Sequence, residues 1–365
     1  MKKTLLLIGG GHAHVEVLRQ LALSPPSDAD IALFNPSPSV WCSGMLPGVI
    51  AGHYEPAEAK VNLWALCQRA RVRFFETSVL SLNASNLALE SGVGERHRFD
   101  FASFNVGCVS QPIPISPGSY VVTVKPVDSL LAAITEFESV RSAGLMVRVV
   151  GAGAAALEVA LALAYRWRES ANRRISIVAG TRLLVGYPQR VRALALRACK
   201  KHGVAVLENR AVEHIEPTRL RLVGGAQIDT QLTVLATTSA PVALLQKTDL
   251  AQAPDGRLHV NSSFQSSNHP HIFAAGDCAF ISGRDIPKSD VCSVDQGAPL
   301  AINLLASMTN SPLVPYRRSS SVLKLLALGD KRAIATRYGL STAGGWAWHW
   351  KDSTNRKWID RYTLD

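Results

Sequence analysis

No two of the six cysteines, at positions 42, 67, 108, 199, 278 and 292, form a C-x-x-C or C-x4-C pair. That excludes a disulfide scaffold, a zinc site built on paired cysteines and a redox-active dithiol relay. His269 and His271 flank Pro270 with no carboxylate or cysteine at ligand spacing, so no metal site is expected. Charged residues are scarce at 18% against 47% hydrophobic, which argues against disorder and for a large buried core. A membrane-spanning run is also missing. Thr4 to Ile8 is too short for a signal peptide and ends in three glycines rather than a small-residue cleavage site. The stretch Leu145 to Tyr165 is long enough to span a bilayer but carries Arg148, Glu158 and a glycine turn, and reads as strand, loop and helix. RNA-binding motifs and basic–aromatic stripes are absent, so no nucleic-acid partner is expected.

What is present is a basic excess, 39 Lys and Arg against 28 Asp and Glu, net +11. Such a balance suits anionic partners such as dinucleotide phosphates or an anionic membrane surface. Free thiols suit a reducing cytoplasm.

One pattern occurs twice, about 140 residues apart. Thr4 to Ile8 reads as a buried strand, Gly9-Gly10-Gly11 as a turn, and His12 through Leu23 as a helix. Leu145 to Val150, Gly151-Ala152-Gly153 and Ala154 through Trp167 repeat the order, and further strands follow at Ile31 to Phe34 and Ile175 to Val178. Gly9 and Gly11 let a phosphate approach backbone N–H groups at a helix start. His14 stands at the third glycine position, which predicts looser helix–strand packing. His12 is a candidate pyrophosphate contact or a packing residue. Asn35 replaces the acidic residue that would grip a ribose, and an amide still offers a hydrogen bond there. In the second copy Gly151, Gly153 and Ala156, with Glu158, form the fingerprint; Arg182 follows the next strand and tilts the choice towards NADPH over NADH.

Between the copies lie a Pro/Gly-rich loop at Ser43 to Gly52, an expected helix at Val61 to Ala70, and a proline-rich linker at Gln111 to Gly118. A third signature follows, His271-Ile-Phe-Ala-Ala-Gly276-Asp277: a buried strand delivering a glycine and a carboxylate, with a helix to follow. Asp277 is placed to bind a ribityl hydroxyl, the helix start to face a flavin's electron-rich edge. Near the C-terminus, positions 346, 350, 354 and 358 share a helix spacing, expected to gather Trp346, Trp350 and Trp358 on one face among Lys351, Arg356, Lys357 and Arg361. That mix suits either peripheral contact with the inner face of a membrane or docking on the protein body.

Taken together, these motifs resemble the FAD-dependent pyridine nucleotide-disulfide oxidoreductase superfamily over nearly the whole chain. Within it the chain is similar to the type II NADH dehydrogenase and sulfide:quinone oxidoreductase branch. Gly9-Gly-Gly-His-Ala-His-Val-Glu-Val-Leu18, Ser43-Gly-Met-Leu-Pro-Gly48 and Val124-Lys-Pro-Val-Asp128 look like the NADH-dehydrogenase-like flavoproteins often fused ahead of selenophosphate synthetase, a segment this chain does not contain. The resemblance implies that Met45, Leu46 and Pro47 line the isoalloxazine, that Lys125 lies near the flavin or the domain junction, and that Gln296 sits beside the ring on the acceptor side. Ala236-Thr237-Thr238 stands where the family often reads Ala-Thr-Gly.

The expected fold is α/β, with two Rossmann-like dinucleotide-binding domains. An FAD domain comprises residues 1–117 and 232–310, an NAD(P)H domain spans 118–231, and a small C-terminal domain takes 311–365. The expected activity is hydride transfer from NADH or NADPH to FAD, with electrons passed to a quinone or other small acceptor. One alternative is a sulfide- or selenium-compound-oxidising flavoprotein using Cys42 or Cys108 near the flavin. The other is a low-turnover flavin-bound sensor or interaction module, motivated by the departures in the second nucleotide motif.

Overall fold

A computed structural model describes residues 2–140, 144–170, 172–283, 290–317 and 322–363; the side chains of 140 and 290–292 lie outside that description. The fold is α/β, as expected, and is built on two five-stranded parallel sheets. In the first, the order is Ile272–Ala274, Phe101–Phe104, Lys3–Ile8, Ala29–Phe34, Arg73–Phe75. In the second it is Val121–Thr123, Leu232–Leu235, Leu145–Val150, Arg173–Val178, Val204–Leu207. Each glycine motif leaves the central strand of its sheet and enters a helix: α1 (His12–Leu23) in the first and, counting α2 (Leu46–Ala51), α3 (Leu63–Ala70) and α4 (Val127–Val140) between, α5 (Ala154–Arg166) in the second. Central strands of parallel sheets are covered on both faces, which is why Leu5 to Ile8 and Val147 to Val150 read as near-continuous apolar runs.

The second sheet corrects one boundary. Leu232–Leu235 pairs in parallel with both Val121–Thr123 and Leu145–Val150, so the strand assigned to the returning first domain belongs to the inserted one. The chain crosses between the two units where Val109–Ser110 pairs antiparallel with Ser239–Ala240. Thr238 lies in that crossover, its carbonyl accepting from Gln111 N–H at 2.7 Å and its backbone outside the left-handed region, so a glycine is not required there. The expected helix at Val61 is also shortened. Lys60–Asn62 pairs with Ser39–Trp41, and Asn62 Oδ1 caps α3 by accepting from Ala65 N–H at 2.9 Å.

After α6 (Gln189–Lys201) and α7 (Asp290–Met308), the C-terminal unit is a three-stranded antiparallel sheet, Lys324–Ala327, Ala333–Arg337 and Leu340–Gly344, followed by α8 (Gly345–Tyr362). It is fastened to both other units. Glu158 of α5 accepts from Ala327 N–H at 2.7 Å and pairs with Lys351 at 3.3 Å. Asp330 meets Lys201 at 2.6 Å and His202 at 3.2 Å, and Tyr362 donates to buried Glu16 of α1 at 2.7 Å.

Candidate functional site

A cavity of about 470 Å³ opens where the first sheet's strand ends meet the second unit. Gly9, Gly11, His12, Asn35, Lys125 and Asp277 all line it, brought together from four separate stretches of sequence. This is the carboxyl end of a parallel sheet, where ligands of open α/β folds bind.

The glycine turn is held from within. Gly9 has φ +86°, and an added Cβ would lie 2.7 Å from Asn105 O. Asn105 is the residue that sequence reading missed. It is 3% exposed; its Oδ1 accepts from Ala13 N–H at 3.0 Å and His14 N–H at 3.2 Å, and its Nδ2 donates to Ala275 O at 2.7 Å. One amide therefore satisfies two of the otherwise unpaired donors at the α1 start and ties that start to the strand carrying Gly276 and Asp277. Asn105 ends an apolar strand, Phe101–Phe104, and a buried amide directly after such a strand is the only local hint.

Asn35 takes a related role at the cavity lining. Its Oδ1 accepts from Gly10 N–H at 2.8 Å and its Nδ2 donates to Ser37 O at 2.7 Å, clasping the turn from the opposite side. His14 is also reassigned. Instead of loosening the packing, its fully buried ring bridges Gly9 O at 2.6 Å and Ser103 Oγ at 2.8 Å, locking helix to sheet. Burial pushes its pKa from 6.5 down to about 4, against the opposing hydrogen bond to Gly9. The unfolded chain takes up this proton near pH 6.5 and the native chain only near 4, so the unfolded state binds more protons between. Stability contributed by neutral His14 is thus present above pH 6.5 and lost as pH falls towards 4, by about 3 kcal/mol. Urea midpoints across that window should fall more steeply for the natural protein than for His14→Gln. Parallel slopes would refute the assignment.

Gly276, at φ +73°, opens a single 3-10 turn that ends at Cys278, and a strand, Ala279–Ile281, follows it. The helix that follows this signature is α7, described from Asp290. Gln296 of α7 reaches back to this turn, its Oε1 accepting from Gly276 N–H at 2.7 Å. Met45, Leu46 and Pro47 are not brought to the cavity lining. All three are buried, with Met45 in the core beneath the C-terminal sheet and Leu46 against α5. At the mouth, Trp41 Nε1 and Lys60 Nζ donate to Asp128 at 3.0 and 2.9 Å. Burial alone would raise the Asp128 carboxyl, but those hydrogen bonds outweigh it and hold the group low.

Cys108 lines the cavity with its thiol 3.5 Å from Asp277 Oδ2. Burial, reinforced by that carboxylate, pushes its pKa up, so it is a poor thiolate. Cys42 lies buried in the core beside Met45, Cys278 is buried with its pKa pushed up to about 12, and the Cys292 side chain lies outside the described residues.

In the second unit Gly151 has φ +155°, and an added Cβ would meet Ala236 O at 2.1 Å. Gly153 precedes α5 with open space around it, and Ala156 packs in full burial under Gly151. Glu158 is engaged by the C-terminal unit, through Ala327 N–H and Lys351. Arg182 is exposed after its strand, beside Glu208, which is itself paired with Arg192 at 2.6 Å. The tryptophan cluster is divided. Trp346 and Trp350 are 50% and 46% exposed with rings 6.2 Å apart, whereas Trp358 packs on His12. A separation of twelve residues turns a helix about 120° past register, so neighbouring i,i+4 pairs do not extend into one face. No helix among the described residues is long and apolar enough to cross a membrane.

Known proteins place this architecture. NDH2 from Plasmodium falciparum, solved in complex with NADH, superposes with TM-score 0.84 at 14% identity over 99% of this chain and 97% of that one. The sulfide:quinone oxidoreductase of Aquifex aeolicus gives 0.83 at 18% identity, over 99% and 91%. In sequence, the type II NADH:quinone oxidoreductase of Haemophilus influenzae is 27% identical over 186 residues, 47% of this chain and 42% of the relative. The nitrite reductase [NAD(P)H] of Bacillus subtilis is 23% identical over 290 residues, 76% and 34%. The chain thus spans less than half the length of these two curated relatives. Residues 3–297 match the family described as pyridine nucleotide-disulphide oxidoreductase, and with both glycine turns and the Gly276-Asp277 turn in place, the chain belongs to that family.

Proposed function

We propose that this chain is an FAD-dependent NAD(P)H dehydrogenase that passes electrons to a quinone or another small acceptor. The observation that carries the reading is the cavity at the first glycine turn, lined by Asp277 and Lys125, with a second, open glycine turn at Gly153 in the neighbouring unit. The residues fit FAD: a cleft at the sheet's carboxyl end, a lysine for phosphate or ring charge, and a carboxylate for a ribityl hydroxyl. When bound, FAD would supply the two-electron chemistry, taking hydride from a nicotinamide and yielding electrons to the acceptor. The chain itself orients and encloses. Asn105 and Asn35 fix the turn that faces the phosphates, Gln296 fixes the backbone that presents Asp277, and Gly151 and Gly153 keep the second helix start open to a pyrophosphate. Cys108 beside the Asp277 carboxylate and Cys42 buried in the core beside Met45 speak against the cysteine-dependent sulfide or selenium reading.

The test is the visible spectrum of the purified protein, followed by anaerobic addition of NADH or NADPH. A flavin spectrum that bleaches with either nucleotide is expected. A flavin that stays oxidised with both removes the dehydrogenase reading in favour of the sensor. Arg182 supplies the nucleotide choice in this proposal, by meeting a 2′-phosphate. Arg182→Ala should raise KM for NADPH roughly three- to tenfold and leave NADH unchanged; equal effects on both would refute it. On the acceptor side, the exposed Trp346 and Trp350, with exposed Lys357 and Arg361 on the same helix, form the surface we assign to peripheral membrane contact. Absence of flotation with anionic vesicles would dismiss that contact.

A further inference from the structure

The last helix carries polar groups that the rest of the fold leaves without partners. Asn355, Trp358 and Tyr362 follow one another at i, i+3 and i+7 along α8. All three face the first dinucleotide unit. Asn355 lies against Gly44, where an added Cβ would come within 2.5 Å of its Oδ1. Trp358 sits over His12 in the first turn of α1, ring centroids 4.8 Å apart. Tyr362 is satisfied by Glu16 at 2.7 Å. The other two are not satisfied: Asn355 Nδ2 and Trp358 Nε1 are buried from solvent and have no acceptor. Their neighbours are at the cavity wall: His12 lines it, and Gly44 directly follows Ser43, which lines it. Buried N–H groups are almost always paired, and here both donors stay unpaired on side chains packed against His12 and Gly44.

We propose that α8 forms a further wall of the cofactor site, with Asn355 Nδ2–H and Trp358 Nε1–H donating to acceptor atoms of bound FAD. The inference rests on the reading that the cavity holds FAD, a molecule dense in phosphate, hydroxyl and ring-carbonyl acceptors. It makes the C-terminal unit a strap that retains the cofactor, in addition to its place on the acceptor side.

Two substitutions in the full chain test it. Trp358→Phe keeps an aromatic ring against His12 and deletes the N–H; Asn355→Leu keeps the volume and deletes the amide. Apoprotein is titrated with FAD by fluorescence, and thermal midpoints are taken with and without FAD. Each variant should raise the FAD dissociation constant about three- to tenfold. The apoprotein midpoint should hold or rise, because an unpaired buried donor has been removed, while the FAD-induced rise in midpoint shrinks. A structural role alone gives the reverse: a lower apoprotein midpoint with unchanged FAD affinity, which overturns the inference. If Asn355→Leu does not fold, Trp358→Phe decides the matter. A natural protein that binds FAD while Trp358→Phe binds it equally well also overturns the inference and leaves the FAD reading standing. A natural protein that takes up no FAD overturns both.

Discussion

Asn105→Leu should yield a protein without flavin colour and about 3–5 kcal/mol less stable than the parent. Leucine fills nearly the same space, so a cavity contributes little. The loss comes chiefly from two donors left buried without partners, the N–H groups of Ala13 and His14, while the carbonyl of Ala275 keeps only the weaker Cys278 thiol. Each unsatisfied buried group costs about 1–3 kcal/mol. Function suffers with stability because the same amide couples the phosphate-facing turn to the strand that delivers Asp277. Urea midpoints and the flavin-to-protein absorbance ratio measure the two effects. A variant that keeps full flavin and loses under 1 kcal/mol would show that the amide is dispensable. Asn35→Ala offers a graded comparison, since its hydrogen bond to Gly10 lies at the partly open cavity edge and its loss can be made good by water.

Gly151→Ala separates the two nucleotide units. Here a methyl group would be driven to 2.1 Å from Ala236 O at a φ of +155°, where both partners are backbone and neither can rotate away. The turn must shift, and with it the start of α5 that faces a pyrophosphate. The variant should stay yellow, because the first unit's cavity is built from other strands, while reduction by NADH and NADPH slows by more than tenfold. Anaerobic stopped-flow at 450 nm measures it. Bleaching at the parental rate would place the nicotinamide elsewhere than at this turn. Loss of flavin together with loss of reduction would show the two units to be less independent than their separate sheets imply.

Both experiments turn on residues whose legibility differed. Gly151 announces itself, because a strand, a glycine pair and a periodic helix are adjacent in sequence and the backbone requirement is local. Asn105 does not, because its partners are ninety and more residues away and become neighbours only when Phe101–Phe104 pairs with Lys3–Ile8 and with Ile272–Ala274. Glu158 shows the opposite failure. It sits inside a recognisable fingerprint, yet its carboxylate belongs to the C-terminal sheet through Ala327 and Lys351. The tail misled in a third way, since i,i+4 spacing holds for Trp346 and Trp350 and drifts out of register over the twelve residues to Trp358.

The sequence by itself determined the two strand–turn–helix units, their order, the Gly276-Asp277 turn and hence the family, because each depends on backbone geometry and apolar periodicity confined to a few consecutive residues. Tertiary structure alone decided the rest. It assigned the strand at Leu232–Leu235 to the inserted sheet, set Asn105 and His14 as internal clasps, tied the Glu158 carboxylate to the C-terminal unit, buried Met45 in the core beneath the C-terminal sheet, and packed Trp358 of α8 against His12. Those outcomes follow from which sheet a strand joins and which buried donor meets which acceptor. Such choices are made among elements distant in the chain, by burial and hydrogen-bond satisfaction across the whole fold.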